Sequence, residues 1–240
     1  MPAPLKAEAI VLRSMRFGEA DRIIHLYTPG RGRMGAIAKG VRRTKSRFGG
    51  RLEPFSHVAL LLHEGRGDLA TVTGVDTVAA HAGLRDDPAA LDGASRACDA
   101  VARLFDSSEP HPEVFNLLAN ELALLEREPA RATLANQLAF RLKLMLAAGF
   151  APQLSACASC GEREEVVGYS AAAGGVVCGS CEASSFALDE ETHAFMVAAL
   201  SQPLAHTPPA SERALRQADR AISETIEYHA HLRLRAAAAG

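Results

Sequence analysis

Residues 28–55 read TPGRGRMGAIAKGVRRTKSRFGGRLEPF, and the interpretation of the whole chain starts from this stretch. Between Arg31 and Arg51 it holds eight Lys or Arg residues and no acid, with glycines and hydroxyl groups among them. Cations, small residues and hydroxyl donors are what contact with a phosphate chain requires. The predicted phosphate contacts are Arg31, Arg33, Lys39, Arg42, Arg43, Lys45, Arg47 and Arg51. The alternative is a solvated basic loop that only keeps the protein in solution.

The charge of this stretch is part of an asymmetry that runs through the whole chain. Residues 1–51 hold twelve Lys or Arg and three acids, a net charge of +9, whereas the other 189 residues carry a net charge of −11. The near-neutral total of −2 hides this division. A cationic end is suited to a polyanion, and the acidic remainder is suited to a different partner.

Short runs of alternating apolar and polar residues, separated by Gly-rich turns, fill the first third of the chain. In DRIIHLYT, for example, Ile24, Leu26 and Thr28 share one face. Strands are predicted at residues 6–13, 21–28, 35–40, 54–62 and 69–76. Five short strands favour a small closed barrel of the oligonucleotide-binding (OB) type over a sandwich. We therefore predict an OB-fold nucleic-acid-binding domain at residues 1–79.

Helical spacing of apolar residues, punctuated by prolines, replaces this pattern after His81. Helices are predicted at residues 91–105, 112–126, 132–148, from 189 onward and at 211–235. Such apolar stripes are typical of the core of a helical bundle. Residues 80–240 are accordingly predicted to form a helical domain, in which Cys98 is a buried, inert thiol.

Two tight cysteine pairs lie inside this helical region, at Cys157-x-x-Cys160 and Cys178-x-x-Cys181. Each two-residue gap lets a turn aim both sulfurs at one ion, and the intervening residues can form a hairpin. Four thiolates leave no open coordination position, so the pattern predicts a structural Zn²⁺ ion and a zinc module at about residues 154–186. Iron bound by the same sulfurs and a redox pair are the alternatives. The fold class is thus α+β: an N-terminal five-stranded OB-type β-barrel followed by an α-helical domain with an inserted four-cysteine zinc module.

Signatures of catalysis and of nucleotide cofactors are weak in this sequence. Gly30-x-Gly32-x-x-Gly35 matches a dinucleotide-binding string, but that motif has meaning only between a strand and a helix, and a basic loop follows here. A metal-dependent nuclease would need acids beside the phosphate path, and the basic stretch contains none. No apolar run is long enough to span a membrane, and Glu8 interrupts the N-terminus before a secretory signal could develop. We therefore expect a cytoplasmic protein that is not an enzyme.

Taken together, these motifs resemble the RecO family of bacterial recombination mediators. The N-terminal match runs through Gly18-Glu19-x-Asp21-Arg22-Ile23, Tyr27-Thr28, Ala38-Lys39-Gly40, Arg42-Arg43-x-Lys45-Ser46 and Leu52-x-Pro54-Phe55. The helical part agrees at Phe140-Arg141-Leu142, Leu146, Gly149-Phe150-x-Pro152 and Cys157-x-x-Cys160-Gly161. The resemblance extends over nearly the whole chain, although the last helices match only in character.

This resemblance implies a DNA repair and homologous recombination mediator that is not an enzyme. Members of the family bind single- and double-stranded DNA, anneal complementary strands and pair with RecR. They also bind the acidic C-terminal tail of single-stranded DNA-binding protein (SSB) and help to load the RecA recombinase onto SSB-coated DNA, which implies a nucleoid-associated location. The tail docks in an apolar groove of the helical domain, for which the candidates here are Arg141, Leu142, Lys143, Met145 and Leu146.

Two further readings of the residues stay open at this point. An RNA- or ribosome-associated protein could combine a basic barrel with a zinc ribbon, because charge does not separate RNA from DNA. A zinc-stabilised nuclease or nucleotidyl transferase is the enzymatic alternative. Tyr27, Phe48 and Phe55 are possible stacking partners for bases, with Phe55 better placed for the core.

Overall fold

A five-stranded closed barrel forms the N-terminal part of the computed structural model, which describes residues 4–65, 67 and 69–236. The strands are β1 Leu5–Phe17, β2 Asp21–Thr28, β3 Gly32–Ala38, β4 His57–His63 and β5 Leu69–Ala79. They pair in the order β1-β2-β3-β5-β4, and β4 closes the barrel by pairing with β1. All pairs are antiparallel except β3 with β5. The predicted OB-type barrel is confirmed.

Alternation of side chains along the strands builds the interior of this barrel. Ile24 and Leu26 of β2 point inward together with Ala36 and Ala38 of β3, and all four are fully buried. Val58, Leu60 and Leu62 contribute in the same way from β4. The cross-section is filled by many small and medium side chains, which suits a narrow closed sheet.

Several strand boundaries differ from the sequence-based prediction, and in β1, β3 and β4 the backbone contacts show why. β1 continues to Phe17, since Phe17 lies opposite Asp21 in the β1–β2 hairpin. β3 begins at Gly32, which pairs with Thr28. β4 begins only at His57, because Phe55 adopts a positive φ of 74° and donates its N–H to the Val11 carbonyl oxygen at 2.7 Å.

Two helices follow the barrel, α1 Pro88–Leu104 and α2 Pro112–Arg127, and they pack on each other and against β1 and β2. Asp87 caps α1 by accepting from the Ala89 and Ala90 N–H groups, so the helix starts three residues before the predicted position 91. Cys98 on α1 is buried as predicted, and burial raises the pKa of its thiol to about 12.

Three α-helices and a small sheet follow in the described residues after Arg127. The helices are α3 Leu134–Ala147, α4 Glu190–Ser201 and α5 Glu212–Ala230; the strands are β6 Val166–Ser170, β7 Gly175–Cys178 and β8 Phe186–Ala187. The sheet order is β7-β6-β8, and β8 was not predicted because two residues carry no periodic signal. α5 ends at Ala230, before the predicted residue 235, where His231 caps it in the left-handed conformation.

Two compact units divide the chain, Met1–Arg127 and Glu128–Gly240. The barrel ends at Ala79, as the sequence indicates, while α1 and α2 group with the barrel in the first unit. Whether residues 1–79 and 80–240 are separate domains stays a prediction. Among the described residues, no helix has both the length and the apolarity needed to cross a bilayer.

Candidate nucleic-acid interface and metal centre

The connection between β3 and β4, residues 39–56 and called the basic connection below, consists of successive turns fastened to the barrel. Phe48 and Leu52 are its anchors, with only 1% and 2% of their surface exposed, and both belong to the barrel core. Ser46 Oγ accepts from the Phe48 N–H at 3.2 Å and tightens the turn at the first anchor. A segment without regular structure is thereby held in one conformation.

Six of the eight predicted phosphate contacts project from the basic connection into solvent: Lys39, Arg42, Arg43, Lys45, Arg47 and Arg51. None of these six forms a salt bridge within the part of the chain that the structure describes. Their partners are neutral instead: Arg42 donates to the Glu19 carbonyl oxygen at 3.0 Å, and Arg51 donates to the Arg47 carbonyl oxygen at 3.3 Å. The Arg47 guanidinium lies 4.8 Å from the centre of the Phe48 ring. The positive charge is therefore positioned without being neutralised.

Arg31 and Arg33 are in different environments from the other six. Arg31 forms an exposed ion pair with Glu64 at 2.5 Å. Arg33 is half-buried, and its guanidinium donates to the Ala102 carbonyl oxygen at the end of α1 at 3.2 Å. Its backbone N–H donates to the Ser107 carbonyl oxygen at 3.0 Å. A role for either residue in phosphate binding stays a prediction, with less free charge to support it.

The aromatic residues considered for base stacking are all inside the protein. Tyr27 is fully buried, and its ring meets Phe105 edge-on at a centroid distance of 6.5 Å. Phe48 is the loop anchor described above, and Phe55 is buried as expected. The interpretation of Tyr27 and Phe48 as exposed stacking partners was therefore wrong, because both side chains are needed to fill the interior.

A further basic residue of the barrel, Arg13, was missed by the sequence interpretation. It lies on the outside of β1 directly opposite His25 of β2. The pKa of His25 is lowered by burial, and next by the charges of Arg33 and Arg13. Arg13 could have been found from the sequence only if the register of β1 against β2 had been known.

The residues predicted to receive a partner peptide lie on α3, mostly facing its core side. Leu142 and Met145 are fully buried, so in this structure neither lines a surface groove. Arg141 is buried too; it donates to Asp219 Oδ1 at 3.2 Å and to the Arg235 carbonyl oxygen at 2.5 Å. Lys143 is half-buried and donates to the Leu200 carbonyl oxygen, and desolvation lowers its pKa. Leu146, by contrast, is 58% exposed.

Four cysteine sulfurs come together at one end of the small sheet, as the spacing predicts. The Sγ atoms of Cys157, Cys160, Cys178 and Cys181 all lie within 4.8 Å of one another. Gly161, at φ +81°, closes the first turn by donating its N–H to the Cys157 carbonyl oxygen. Cys178 ends β7, and the second pair continues in a short 3₁₀ turn at Gly179–Cys181.

The protonation chemistry of these thiols favours a cation among them. Hydrogen bonds from the backbone of Cys178 and Cys160 lower the pKa of Cys157 to about 6. Hydrogen bonds with the thiols of Cys160 and Cys178 raise the pKa of Cys181 to about 12. Four sulfurs this close can all be thiolates only if a positive ion offsets their repulsion. The donor set therefore fits one metal ion.

The dinucleotide-like string Gly30-x-Gly32-x-x-Gly35 lies in the β2–β3 hairpin. Gly35 is inside β3, and a Cβ atom there would lie 2.5 Å from Leu69 Cδ2. Gly35 thus serves strand packing, and the strand-turn-helix context of a cofactor site is not formed.

Comparison with known proteins agrees with this architecture along the whole chain. The family described as recombination protein O N terminal matches residues 1–81, and recombination protein O C terminal matches residues 85–237. A DNA repair protein RecO from Anaeromyxobacter dehalogenans (strain 2CP-C) is 35% identical over 97% of this chain and 94% of its own length. A protein of the same name from Nocardioides sp. (strain ATCC BAA-499 / JS614) is 37% identical over 92% of this chain and 93% of its own length. Another from Bifidobacterium animalis subsp. lactis (strain AD011) is 43% identical over 71% of this chain and 71% of its own length. The chain belongs to the RecO family of DNA repair and recombination proteins.

Proposed function

We propose that this chain is a recombination mediator that binds single- and double-stranded DNA and anneals complementary strands. We further propose that it helps to load RecA onto SSB-coated DNA together with RecR. The observation that carries the proposal is the basic connection, with six exposed cations, no salt bridge to any of them among the described residues, and two buried anchors that hold it in place. Such a surface neutralises phosphates whatever the base sequence.

Annealing follows from the same electrostatics. Two complementary strands repel each other through their phosphates, and a fixed cationic surface lowers that repulsion while it holds one or both strands. Guanidinium groups that are preoriented by carbonyl oxygens, as in Arg42 and Arg51, lose little conformational freedom on binding. The proposed role requires no bond to be made or broken, so the protein acts as a mediator and not as an enzyme. A DNA-processing protein of this kind works in the cytoplasm, at the nucleoid.

The four cysteines are proposed to hold a structural Zn²⁺ ion through Cys157, Cys160, Cys178 and Cys181. Bound by these four sulfurs, the ion would cross-link the two cysteine turns, and four protein ligands would leave no position for a substrate. The chain's own contribution is to lower the pKa of Cys157 and to set the turns at Gly161 and Gly179.

The SSB tail, which is acidic with an apolar end, is proposed to dock on the second unit. The start of α3 borders an apolar cavity of about 780 Å³, lined among others by Pro129, Leu134, Pro208 and Leu215, with Arg131 at its side. This cavity offers apolar surface that the buried Leu142 and Met145 do not. A Leu134→Asp variant should lose binding of a peptide with the SSB tail sequence. If Leu146→Asp loses binding of this peptide and Leu134→Asp does not, the tail docks at the exposed end of α3.

Annealing of two SSB-coated complementary oligonucleotides tests the mediator proposal. We expect wild-type protein to anneal them and an Arg42→Ala/Arg43→Ala/Lys45→Ala variant to be strongly impaired. For single-stranded DNA the variant should also lower the salt dependence, d log K/d log [salt], by about 2, since each phosphate contact contributes about 0.7. The matched control is Arg163→Ala/Arg213→Ala/Arg216→Ala, which removes the same charge from exposed positions of the second unit.

Two results would contradict the proposal. Equal impairment of both triple variants would mean that net charge matters and the basic connection does not. Tighter binding of RNA than of DNA of equal length, without annealing of DNA, would favour an RNA-associated protein, because the 2′-hydroxyl is the group that separates the two.

A further inference from the structure

The outside of the barrel carries an apolar row that crosses three neighbouring strands. Met15 of β1 lies opposite Ile23 of β2, and Ile23 lies opposite Ile37 of β3. Their strand neighbours Ile24, Ala36 and Ala38 point into the barrel core, so the row faces outward. Neighbouring strands are about 4.8 Å apart, which makes the row about 10 Å wide.

This row is open enough to receive a ligand. Met15, Ile23 and Ile37 are each half-buried, although they lie on the outer face of the sheet. Phe17, two residues beyond Met15, is 49% exposed, and Leu69, beside Gly35, is 37% exposed. The contacts of this sheet with α1 and its following loop, through Arg33 and through the Tyr27–Phe105 ring pair, lie at the other end of β2 and β3.

Cations border the apolar row on two sides. Arg13 lies one outward position along β1 from Met15, opposite His25. Lys39 follows β3 and leads into the basic connection with Arg42 and Arg43. Asp21, the acid at this end of β2, has its carboxylate engaged, because Oδ1 accepts from the Gly40 N–H at 2.7 Å. The row is therefore apolar and is bordered by cations, beside an acid whose carboxylate is held by the backbone.

We propose that Met15, Ile23 and Ile37 form a platform on which bases of single-stranded DNA pack, while Arg13 and the basic connection, starting with Lys39, hold the adjoining phosphates. Apolar side chains beside an unneutralised cationic track match a polymer that has flat apolar bases on an anionic backbone. The platform rests on the proposed DNA-binding function and deepens it. It also replaces the aromatic stacking partners that the structure places in the core.

The apolar platform and the positive charge are expected to differ in how they bind single-stranded and duplex DNA. The bases of a duplex are paired and stacked, so they cannot reach the row, whereas the bases of a single strand can. The cations serve both forms of DNA, and the apolar row serves only the single strand. The platform therefore gives the barrel a preference for single strands that does not depend on salt.

The test compares an Ile23→Thr/Ile37→Thr variant with wild type, using oligothymidylate and a blunt duplex of the same length. Threonine keeps the β-branched shape that strands favour and removes part of the apolar surface. We expect single-strand affinity to fall about tenfold, which is near the low end of the cost of losing one base contact. The salt slope and the duplex affinity should stay unchanged. Met15→Gln, a substitution of similar length, should act in the same direction and guards against a folding defect in the double variant.

Leu61→Thr is the matched control, since Leu61 is also an apolar residue exposed on the outside of the barrel, on β4. It should leave both affinities unchanged. Unaltered single-strand binding by folded variants would overturn the platform, and so would an equal loss of affinity for both DNA forms. In either case the proposed function would stand as long as wild type binds DNA with a salt-dependent affinity. Failure of wild type to bind any DNA would remove the platform and the proposed function together.

Discussion

The basic connection and the four-cysteine module are both built largely from turns, yet they are held in place in opposite ways. The basic connection places Phe48 and Leu52 into a barrel core that already exists. The cysteine module has a small buried cluster of its own, formed by Cys157, Val177 and Cys178. A loop can depend on a neighbouring core, whereas a small module with little apolar surface of its own requires a metal ion or another cross-link.

Of the changes that test this comparison, removal of the metal should have the largest effect on stability. Chelation or a Cys178→Ser substitution should unfold the cysteine module, because structural zinc contributes on the order of 10 kcal/mol to such sites. The barrel should retain most of its DNA affinity. Metal content and thermal melting are the measurements, and Cys98→Ala, which removes a buried thiol outside the cluster, is the control. Purified protein without bound metal, or an unchanged melting curve after chelation, would contradict the structural role.

Loss of an anchor in the basic connection should have the next largest effect. Phe48→Ala leaves a cavity in the barrel core and should lower the free energy of unfolding by about 3–5 kcal/mol. DNA affinity should fall as well, since the cations lose their fixed positions. Urea unfolding and DNA titration measure the two effects. The neighbouring Arg47→Ala should weaken DNA binding with little loss of stability. If Phe48→Ala lowered the free energy of unfolding by less than about 1 kcal/mol, the basic connection would not be anchored by this residue.

Acid should have the smallest effect, and we expect it on the helices that follow the cysteine module. Glu191 on α4 accepts hydrogen bonds from the Ser211 N–H at 2.7 Å and the Ser211 hydroxyl at 2.6 Å, and the hydroxyl bond is the main reason that its pKa is lowered. Asp189, which caps α4, also has a lowered pKa, chiefly through its bonds to Thr192. A lowered carboxylate pKa stabilises the fold above the ordinary value and ceases to do so as pH falls through the lowered value.

Stability of the second unit should therefore decrease as pH falls below the ordinary glutamate value of 4.5. Glu191→Gln should flatten this dependence, as followed by thermal melting at a series of pH values. Phe48 and Leu52 carry no titratable group, so their contribution to holding the basic connection should not change over the same range. A loss of stability as pH rises toward neutrality would contradict the stabilising role of these two carboxylates.

Several features could be predicted because the signals for them are local. β2 has its predicted bounds, since alternation over eight residues is contained in the strand itself. The four-cysteine cluster follows from two tight pairs, each of which fixes its own turn. α2 begins at Pro112 as predicted, because proline is favoured in the first turn of a helix.

Other features could not be predicted because they depend on distant residues. Tyr27 and Phe48 looked suitable for stacking on bases, but Phe105 packs against the first and the barrel core encloses the second. Leu142 and Met145 are as apolar as the exposed Leu146, and periodicity alone does not say which side of α3 the neighbouring helices cover.

The sequence by itself determined the barrel, the helices, the clustered cysteines and the density of positive charge, because each follows from the order of neighbouring residues. Only the tertiary structure decided which cations stay without a salt bridge and which aromatic rings are buried. It also decided that Met15, Ile23 and Ile37 stand in one row. Those properties arise from strand register and packing between residues far apart in the chain, and register is set by the sum of all the contacts that a closed sheet makes at once.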